Sequence, residues 1–230
     1  MKLSIVILTF NSQKYLSKVL NSCHFVDEVI VVDSGSLDNT IEIAQAFTNT
    51  KIIHQKWLGF GKQKQAGVNA TKHDWVFVLD SDEIITDALQ KEILSQDLTC
   101  KGYFIPRLNY FFGKPIKYCG LYPDATLRFF DKNYAAFSED KVHEKVLTQE
   151  KTATLTNHML HFAYESVEEF IAKQNRYSSL NKKGSILKAL FSPYWTFLKI
   201  YFLRLGFLEG WHGFVIAKLY AQYTFWKYVK

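Results

Sequence analysis

Short apolar runs alternate with amphipathic stretches through the first hundred residues of this chain. The runs are β-prone and apolar on both alternating faces, which is typical of buried strands in a parallel sheet. Stretches with helical spacing of apolar residues separate the runs, and the connections between them are short. The pattern predicts strands over 3–8, 28–32, 51–54 and 75–79, and helices over 11–23, 37–47, 61–70 and 86–94.

The pattern changes after residue 100, where aromatic residues, proline and glycine replace the helical period. This region predicts strands over 103–108, 125–130 and 154–160, followed by a helix that Ser166 caps and that runs to about residue 182. The predicted fold class is therefore α/β, with a mixed sheet flanked by helices.

The strongest chemical signal lies where the predicted strand 75–79 ends, at Asp80-Ser81-Asp82-Glu83. Open α/β sheets bind ligands at the carboxyl ends of their strands. Carboxylates crowded at that edge repel one another unless a cation joins them, and Mg²⁺ or Mn²⁺ suits oxygen ligands and bridges to substrate phosphates. The motif therefore indicates a divalent-metal and diphosphate site, although an isolated pair of this kind also caps helices.

Two other predicted strands end in polar clusters, which makes the signal more specific. Thr9 and Asn11 follow the first strand, and Asp33, Ser36 and Asp38 follow the second. Carboxyl ends of neighbouring parallel strands share one edge, so these clusters are expected to form one pocket rim. Each cluster taken alone also fits a turn with a helix cap.

A third segment, Gly59-Phe60-Gly61-Lys62-Gln63-Lys64-Gln65, opens a predicted helix. Amide groups at a helix start, aided by Lys62 or Lys64, can meet a phosphate. The spacing matches neither a Walker loop nor the dinucleotide fingerprint, so a solvated basic turn is the alternative.

Composition narrows the class of protein. The chain has 230 residues, of which 48% are hydrophobic, enough for one α/β domain with an appendage. The three cysteines are widely spaced and show no paired pattern, which disfavours a disulfide framework or zinc site and fits a reducing cytoplasm. The apolar start is too short for a signal peptide and reads better as a first strand.

The formal net charge of +6 belongs to the last part of the chain, because residues 183–230 hold seven Lys or Arg residues and one acid. Large aromatic residues are interleaved with these cations, and no apolar run reaches the roughly 20 residues that span a bilayer. Pro193 is predicted to start a helix, with Gly206 and Gly210 ending it near Trp211. Two amphipathic helices lying at a membrane surface explain this composition, whereas a helical pair packed on the protein is the alternative. A nucleic-acid partner is disfavoured, because no recognition motif is present.

The chain resembles the family 2 inverting glycosyltransferases with the nucleotide-diphospho-sugar-binding fold called GT-A, and within them the bacterial lipopolysaccharide inner-core β-1,4-glucosyltransferases. The resemblance spans nearly the whole chain. The motifs that carry it are Leu8-Thr9-Phe10-Asn11, Val31-Val32-Asp33-Ser34-Gly35-Ser36-Leu37-Asp38-Asn39-Thr40, Trp57-Leu58-Gly59-Phe60-Gly61-Lys62-Gln63-Lys64-Gln65, Leu79-Asp80-Ser81-Asp82-Glu83, Tyr122-Pro123-Asp124, Leu127-Arg128-Phe129-Phe130 and Val142-His143-Glu144.

The resemblance implies transfer of a hexose to a heptose of the lipopolysaccharide core or a similar glycolipid. The expected hexose is glucose, with UDP-glucose as the donor. It implies uridine contacts from Asp33 and Asp38, a ribose or metal contact from Asp80, and a cation on Asp82. Other residues implied to bind the nucleotide sugar are Thr9, Asn11, Ser36, Lys62 and Gln65. It divides the chain into a nucleotide-sugar half (1–100), an acceptor half (101–183) and a membrane-associating tail (184–230) at the inner face of the cytoplasmic membrane.

An inverting transfer also requires a base that takes the proton of the acceptor hydroxyl. The three candidate carboxylates are Glu144, Asp124 and Glu83, and the resemblance favours Glu144, with Asp124 as the alternate. Arg107, Arg128 and His143 are the predicted contacts to the diphosphate or to an anionic acceptor.

Two other functions use similar chemistry. A nucleotidyltransferase would need a glycine-rich basic loop soon after the first strand, and Thr9-Phe10-Asn11-Ser12 lacks one. A non-catalytic module that binds UDP-sugar and membrane would bind UDP without turning over a donor.

Overall fold

The computed structural model describes residues 2–138, 144–180 and 184–230. The chain divides into two compact units. The first unit comprises Met1–Arg107 and Ala125–His161, and the second comprises Leu108–Asp124 and Phe162–Lys230. The division predicted above into 1–100, 101–183 and 184–230 is one of function, and it stays a prediction.

The strands and helices are short, as expected for an α/β chain with tight connections. The strands are β1 (Leu3–Thr9), β2 (Glu28–Asp33), β3 (Thr50–His54), β4 (Trp75–Asp80), β5 (Glu83–Ile85), β6 (Gly102–Ile105), β7 (Arg107–Phe111), β8 (Lys114–Pro115), β9 (Thr126–Asp131), β10 (Ala135–Phe137), β11 (Val146–Thr148), β12 (Thr152–Thr154) and β13 (Met159–Tyr164). The helices are α1 (Gln13–Asn21), α2 (Thr40–Gln45), α3 (Phe60–Asn69), α4 (Asp87–Leu94), α5 (Val167–Leu180), α6 (Ile186–Leu198) and α7 (Trp211–Val229).

Seven of the described strands form one sheet in the first unit, in the order β12-β6-β9-β4-β1-β2-β3. Strands β1, β2, β3 and β4 are mutually parallel where they pair, and β9 runs antiparallel to both β4 and β6. The predicted mixed sheet is therefore confirmed. In its parallel half, β1, β2 and β4 are apolar on both faces, whereas the edge strand β3 is only partly buried.

Successive side chains of a strand point to opposite faces of the sheet, and each face is covered by a separate core. In β1, Ile5 and Ile7 pack into one core with residues of α1 and α4. Val6 and Leu8 pack into the other core, where Val68 of α3 covers the sheet. The strand β1 is thus buried along its whole length, and its carboxyl end is where polar residues become accessible.

The predicted strand over 154–160 is wrong in its middle. The chain forms β12 and β13 instead, and residues 155–158 lie between them. The carboxylate of Glu92 accepts hydrogen bonds from the backbone amides of Thr156 and Asn157. These bonds occupy the amides that a continuous strand would have used for pairing.

The second unit holds α5, α6 and α7 around a core that includes Phe111, Phe170 and Ile216. The prediction that Pro193 starts a helix is wrong, because α6 begins at Ile186 and contains Pro193 in its interior. Ser185 caps α6 by accepting a hydrogen bond from the Lys188 amide, and that cap together with packing on α7 outweighs the one backbone bond that proline removes.

The predicted glycine break in the tail is confirmed. A π-helical turn (Lys199–Leu203) and a 3₁₀ turn (Gly206–Glu209) separate α6 from α7. Gly210 has φ of 62°, a conformation that glycine adopts without strain, and α7 starts at the next residue. In the described part of the chain, no helix combines the length and hydropathy needed to cross a bilayer.

Candidate active site

The carboxyl ends of three neighbouring strands lie side by side at one edge of the sheet. Thr9 at the end of β1 is in register with Asp33 at the end of β2, and Leu8 is in register with Asp80 at the end of β4. The polar clusters singled out in the sequence therefore share an edge, because parallel pairing fixes the order of the strand ends.

Asp33 is buried at the centre of this edge and is held by neighbouring donors. It accepts hydrogen bonds from the Thr9 hydroxyl at 3.0 Å and from the backbone amides of Gly35 and Ser36 at 2.9 Å, and also from the Ser36 hydroxyl. Burial alone would raise the pKa of Asp33, but these bonds outweigh it and lower the pKa below its usual value. Asp33 is therefore a fixed negative charge at neutral pH.

The loops after β1 and β2 are joined to each other by hydrogen bonds. The Asn11 amide donates to the Ser36 hydroxyl at 2.9 Å, and the Leu37 amide donates to Asn11 Oδ1 at 2.8 Å. Asp38 accepts from the backbone amides of Gln13 and Thr40. These bonds fix the shape of the rim.

The two lysines that the sequence offers on helix α3 differ in burial. Lys64 is buried and lies on the same helix face as Gly67 and Val68, whereas Lys62 is exposed. Gln65 Oε1 accepts a hydrogen bond from the Phe137 amide at 2.9 Å, which ties this side chain to the backbone of β10.

Gln63, which precedes Lys64, is fully buried and joins three segments at the edge of the sheet. Its Nε2 donates to the Ser34 hydroxyl at 3.0 Å and to the Gln55 carbonyl at 2.9 Å, and its Oε1 accepts from the Leu58 amide. Gln63 thereby holds the loop after β2 against the approach to α3.

A chain of alternating charges, which we call the ionic network, runs along this edge. Three carboxylates and three cations contact one another in succession, so their formal charges cancel. In order of contact they are Glu144, Lys64, Asp80, Arg128, Glu83 and Arg107.

Asp80 lies at the middle of the ionic network with a cation on each oxygen. Lys64 Nζ is 3.1 Å from Asp80 Oδ1, and Arg128 Nη2 is 2.6 Å from Asp80 Oδ2. Burial would raise the pKa of Asp80, but the charges of Arg128 and Lys64 hold it well below its usual range. Burial likewise would lower the pKa of Arg128, and its carboxylate neighbours raise it instead.

Glu83 is fully buried and anchors the turn that carries the acidic motif. Its carboxylate accepts from the Asp80 amide at 2.9 Å and from Arg107 and Arg128 at 3.2 Å each. Arg128 reaches it because β9 runs antiparallel beside β4 and brings its first residues to the carboxyl end of β4. Glu83 is thus the counter-charge to both Arg107 and Arg128.

Asp82 is partly exposed at 35% and lies in the turn between β4 and β5. Its Oδ2 lies 3.7 Å from Nε2 of His161, which β13 brings to the turn by pairing with β5 in register with Glu83. Ser81, between the two aspartates, contacts the Ser12 hydroxyl at 2.9 Å and ties the turn to the loop after β1. Among the described residues, no group of three or more His, Cys, Asp or Glu side chains is arranged around a metal position.

The candidate bases fall in different parts of the chain. Glu144 belongs to the first unit, is 16% exposed and pairs with Lys64 at 2.8 Å. Asp124 belongs to the second unit and is half-buried. His143 lies outside the described residues.

Sequence reasoning offered Lys64 only as an alternative to Lys62, and it did not single out Gln63. For Lys64 a signal was present, because residues 61, 64, 67 and 68 share one face of a helix and glycine at 61 and 67 marks close packing. The contact of His161 with Asp82 had no local signal, since it depends on the pairing of β5 with β13.

Comparison with known proteins agrees with this fold. The family model described as glycosyl transferase family 2 matches residues 4–137, more than half of the chain. The lipopolysaccharide core biosynthesis glycosyltransferase LpsC of Rhizobium meliloti (strain 1021) is 28% identical over 97% of this chain and 89% of its own length. A protein of Rickettsia typhi (strain ATCC VR-144 / Wilmington), named an uncharacterized glycosyltransferase, is 30% identical over 100% of this chain and 86% of its own length.

Among solved structures, S. aureus TarS 1-349 in complex with UDP aligns with a TM-score of 0.53 at 18% identity, covering 91% of this chain and 75% of that one. That likeness concerns the fold, which is of the GT-A type. The chain belongs to glycosyltransferase family 2. The resemblance seen in the sequence is thereby confirmed at the level of family, fold and enzyme class.

Replacement of Glu83 tests the ionic network as a stabilising element. Glu83→Gln removes the shared counter-charge of two arginines in a buried position, so we expect the free energy of unfolding to fall by about 3 kcal/mol or more. Urea unfolding followed by circular dichroism measures it. The matched control is Glu42→Gln on the exposed side of α2, where we expect a change within about 0.5 kcal/mol. Equal effects of the two substitutions would contradict the buried role.

The depressed pKa of Asp33 predicts a pH-dependent contribution to stability. The charged form contributes fully above the unfolded pKa of about 3.9, and the contribution is lost as pH falls through the lower folded pKa. The difference in unfolding free energy between the wild type and Asp33→Asn should therefore be widest near neutral pH and narrow below about pH 4. The exposed substitution Asp87→Asn is the control. A difference that stays constant down to acid pH would refute this account of Asp33.

Proposed function

We propose that this glycosyltransferase moves a hexose, glucose from UDP-glucose, onto a heptose of the lipopolysaccharide inner core or onto a similar glycolipid, with inversion at the anomeric carbon. The observation that carries the proposal is the meeting of Thr9, Asp33 and Asp80 at one sheet edge, with Asp82 in the turn that follows. That edge is where open α/β sheets bind nucleotides.

The donor half of the proposal rests on the loops after β1 and β2. Asp33 is charged, fixed by its donors and placed beside Thr9, which suits hydrogen bonding to the uracil and ribose of a nucleotide. Asn11, Ser36 and Asp38 build the rim around it, and Lys62 and Gln65 on α3 are proposed further contacts to the donor. The resemblance to family 2 enzymes favours uridine as the base.

A divalent cation, Mg²⁺ or Mn²⁺, fits the acidic turn in a specific way. Both oxygens of Asp80 face cations of the protein, whereas Asp82 has the imidazole of His161 beside its Oδ2. We therefore assign the cation to Asp82, with His161 as a second protein ligand and Asp80 as a neighbouring charge. Such a small donor set suits an ion that keeps water and diphosphate oxygens among its ligands. When bound, the ion would stabilise the charge that develops on the departing diphosphate.

The transfer itself needs a base and an open path to the anomeric carbon. Glu144 takes the proton of the acceptor hydroxyl while the bond from that oxygen to the anomeric carbon forms and the bond from the carbon to the diphosphate breaks. The contact of Lys64 with both Glu144 and Asp80 favours this choice, since it links the base to the donor edge. Asp124 is the alternate base. Arg107, Arg128 and His143 are proposed to act on the diphosphate or on an anionic acceptor.

The acceptor assignment draws on a relative. LpsC is named a lipopolysaccharide core biosynthesis glycosyltransferase and is 28% identical over nearly the whole chain. A core acceptor is carried by a lipid, and the aromatic and basic tail of this chain suits a place at the inner face of the cytoplasmic membrane. We propose peripheral membrane association on that basis.

The assignment of Asp82 is tested by turnover of UDP-glucose on a core-heptose acceptor. Asp82→Asn should lower transfer by about a hundredfold or more, because it weakens the charge that stabilises the leaving diphosphate. Removal of divalent ions with EDTA should stop transfer by the wild type, and Mn²⁺ should restore it. The exposed substitution Asp87→Asn is the control. Undiminished transfer in EDTA would defeat the metal role, and an intact rate in Asp82→Asn would defeat the residue assignment.

The base is tested by paired amide substitutions. Glu144→Gln should lower the rate of transfer by about 10²–10⁴-fold while calorimetry still detects UDP binding, because the base acts on the acceptor. Asp124→Asn should leave the rate much closer to that of the wild type. The reverse result, in which Asp124→Asn loses transfer and Glu144→Gln retains it, would assign the base to Asp124.

A further inference from the structure

The outward side of α6 carries an exposed apolar stripe in the second unit. Its members recur at spacings of three and four residues, so they share one helix face. Their exposure ranges from 46% for Leu198 to 74% for Tyr194. We call this set the outer stripe, and it comprises Leu187, Leu190, Phe191, Tyr194, Trp195 and Leu198.

The opposite side of α6 is the one that packs on the protein. Ala189 is buried there, and Phe197 joins the core of the second unit together with Ile200 of the following turn. Thr196 contacts Thr224 of α7 at 3.2 Å. The outer stripe is therefore an additional apolar face and not the packing surface of the helix. Patches of this kind mark contacts with a membrane or another protein.

Helix α7 has a different role in the same tail. Its residues Gly213, Ile216, Ala217 and Ala221 are buried, and it packs against both α5 and α6. The two helices of the tail are thus unequal, because α7 lies within the core of the second unit and α6 shows its apolar side to solvent.

The charge around the outer stripe distinguishes between possible occupants. Lys188 and Lys199 are exposed and border the stripe along one side of the helix. Glu209 is the one acidic residue of residues 183–230, and it is buried against Lys114 Nζ at 2.9 Å and the Lys117 amide at 2.8 Å. Within 184–230, which the structure describes in full, the exposed side-chain charges are therefore all positive.

An anionic bilayer fits this combination better than a second copy of the chain. Two outer stripes facing each other would bring the same cations together, whereas lipid headgroups with negative charge would attract them. Tyr194 and Trp195 of the outer stripe are residue types that favour the headgroup level of a membrane. A helix lying in that plane needs only an apolar face and flanking cations.

We propose that the outer stripe of α6, and not α7, is the surface with which this protein docks on anionic phospholipid bilayers. This inference rests on the membrane association proposed above, and it names the helix face and the lipid charge. It places α6 in the headgroup plane with Lys188 and Lys199 directed at phosphate groups. The transfer reaction is not needed for docking.

Flotation with vesicles tests the proposal. Wild-type protein should float with vesicles of phosphatidylcholine mixed with phosphatidylglycerol, float poorly with phosphatidylcholine alone, and be released by high salt. Phe191→Ser/Trp195→Ser should lower the partition coefficient at least about tenfold, because burial of a single aromatic side chain can contribute that much. Lys188→Gln/Lys199→Gln should weaken binding to the anionic vesicles and its salt dependence.

The matched control lies in the same tail. Phe225→Ser/Val229→Ser removes two exposed apolar side chains of α7, and it should float like the wild type. Thermal unfolding of each variant checks that the fold is retained, and sedimentation velocity without lipid checks for dimers. Equal flotation of the α6 variant and the wild type, loss of flotation in the α7 variant, a wild type that stays with the soluble fraction, or a dimer that the α6 variant abolishes would each overturn the proposal.

The release of UDP from UDP-glucose in lipid-free buffer separates this inference from the proposed transfer. Wild-type and α6-variant proteins should release UDP at the same rate. If neither protein turned over the donor while flotation was as expected, the result would contradict the proposed function and would still support the docking surface.

Discussion

Compensation of charge at the edge of the sheet is the constraint on which the rest of the site depends. Two parallel pairings bring the carboxyl ends of β1, β2 and β4 together, and β2 and β4 end in acidic residues. Crowded carboxylates are stable in a partly buried place only if cations or hydrogen-bond donors meet them. The protein meets them in two ways. Asp33 is held by hydroxyl and amide donors, and Asp80 and Glu83 are held by Lys64, Arg128 and Arg107.

This arrangement assigns different tasks to residues that look alike in the sequence. Asp80 and Asp82 are one residue apart and similarly exposed, at 32% and 35%, yet Asp80 faces a cation on each oxygen whereas Asp82 has a histidine beside it. The cations that hold Asp80 fit a part in shaping the site, and the proposed part of Asp82 is to bind an incoming ion and diphosphate. The cations come from α3, β7 and β9, so the donor edge depends on elements outside the parallel strands that form it.

Much of this could be predicted from sequence, because the signals are local. Apolar runs such as 3–8 and 75–79 define buried strands, and their polar ends follow directly, so the parallel half of the fold and the candidate edge were accessible. The contact partner of each charged side chain could not be predicted in the same way. Whether a carboxylate at a strand end meets a metal or an arginine depends on β9. This strand lies beside β4, but it begins at Thr126, which is 46 residues after the end of β4 at Asp80.

The start of α6 shows the same limit of prediction from local sequence. Pro193 is a strong local signal, yet the Ser185 cap and packing on α7 set the start of α6 earlier. The identity of the exposed face of α6 also required the tertiary structure, since apolar residues cover more than one face of that helix. Composition indicated an aromatic and basic tail, and only the contacts of Ala189 and Phe197 separate its inner side from its outer side.

A crystal structure of the complex with UDP and Mn²⁺ tests the division of labour at this edge most directly, because the anomalous signal of manganese locates the ion independently of the protein atoms. The account predicts an ion peak at Asp82 that is shared with the diphosphate, the uridine against Thr9 and Asp33, and the pair of Asp80 with Arg128 still in place. An ion bound elsewhere, or a nucleotide on another face of the sheet, would contradict it.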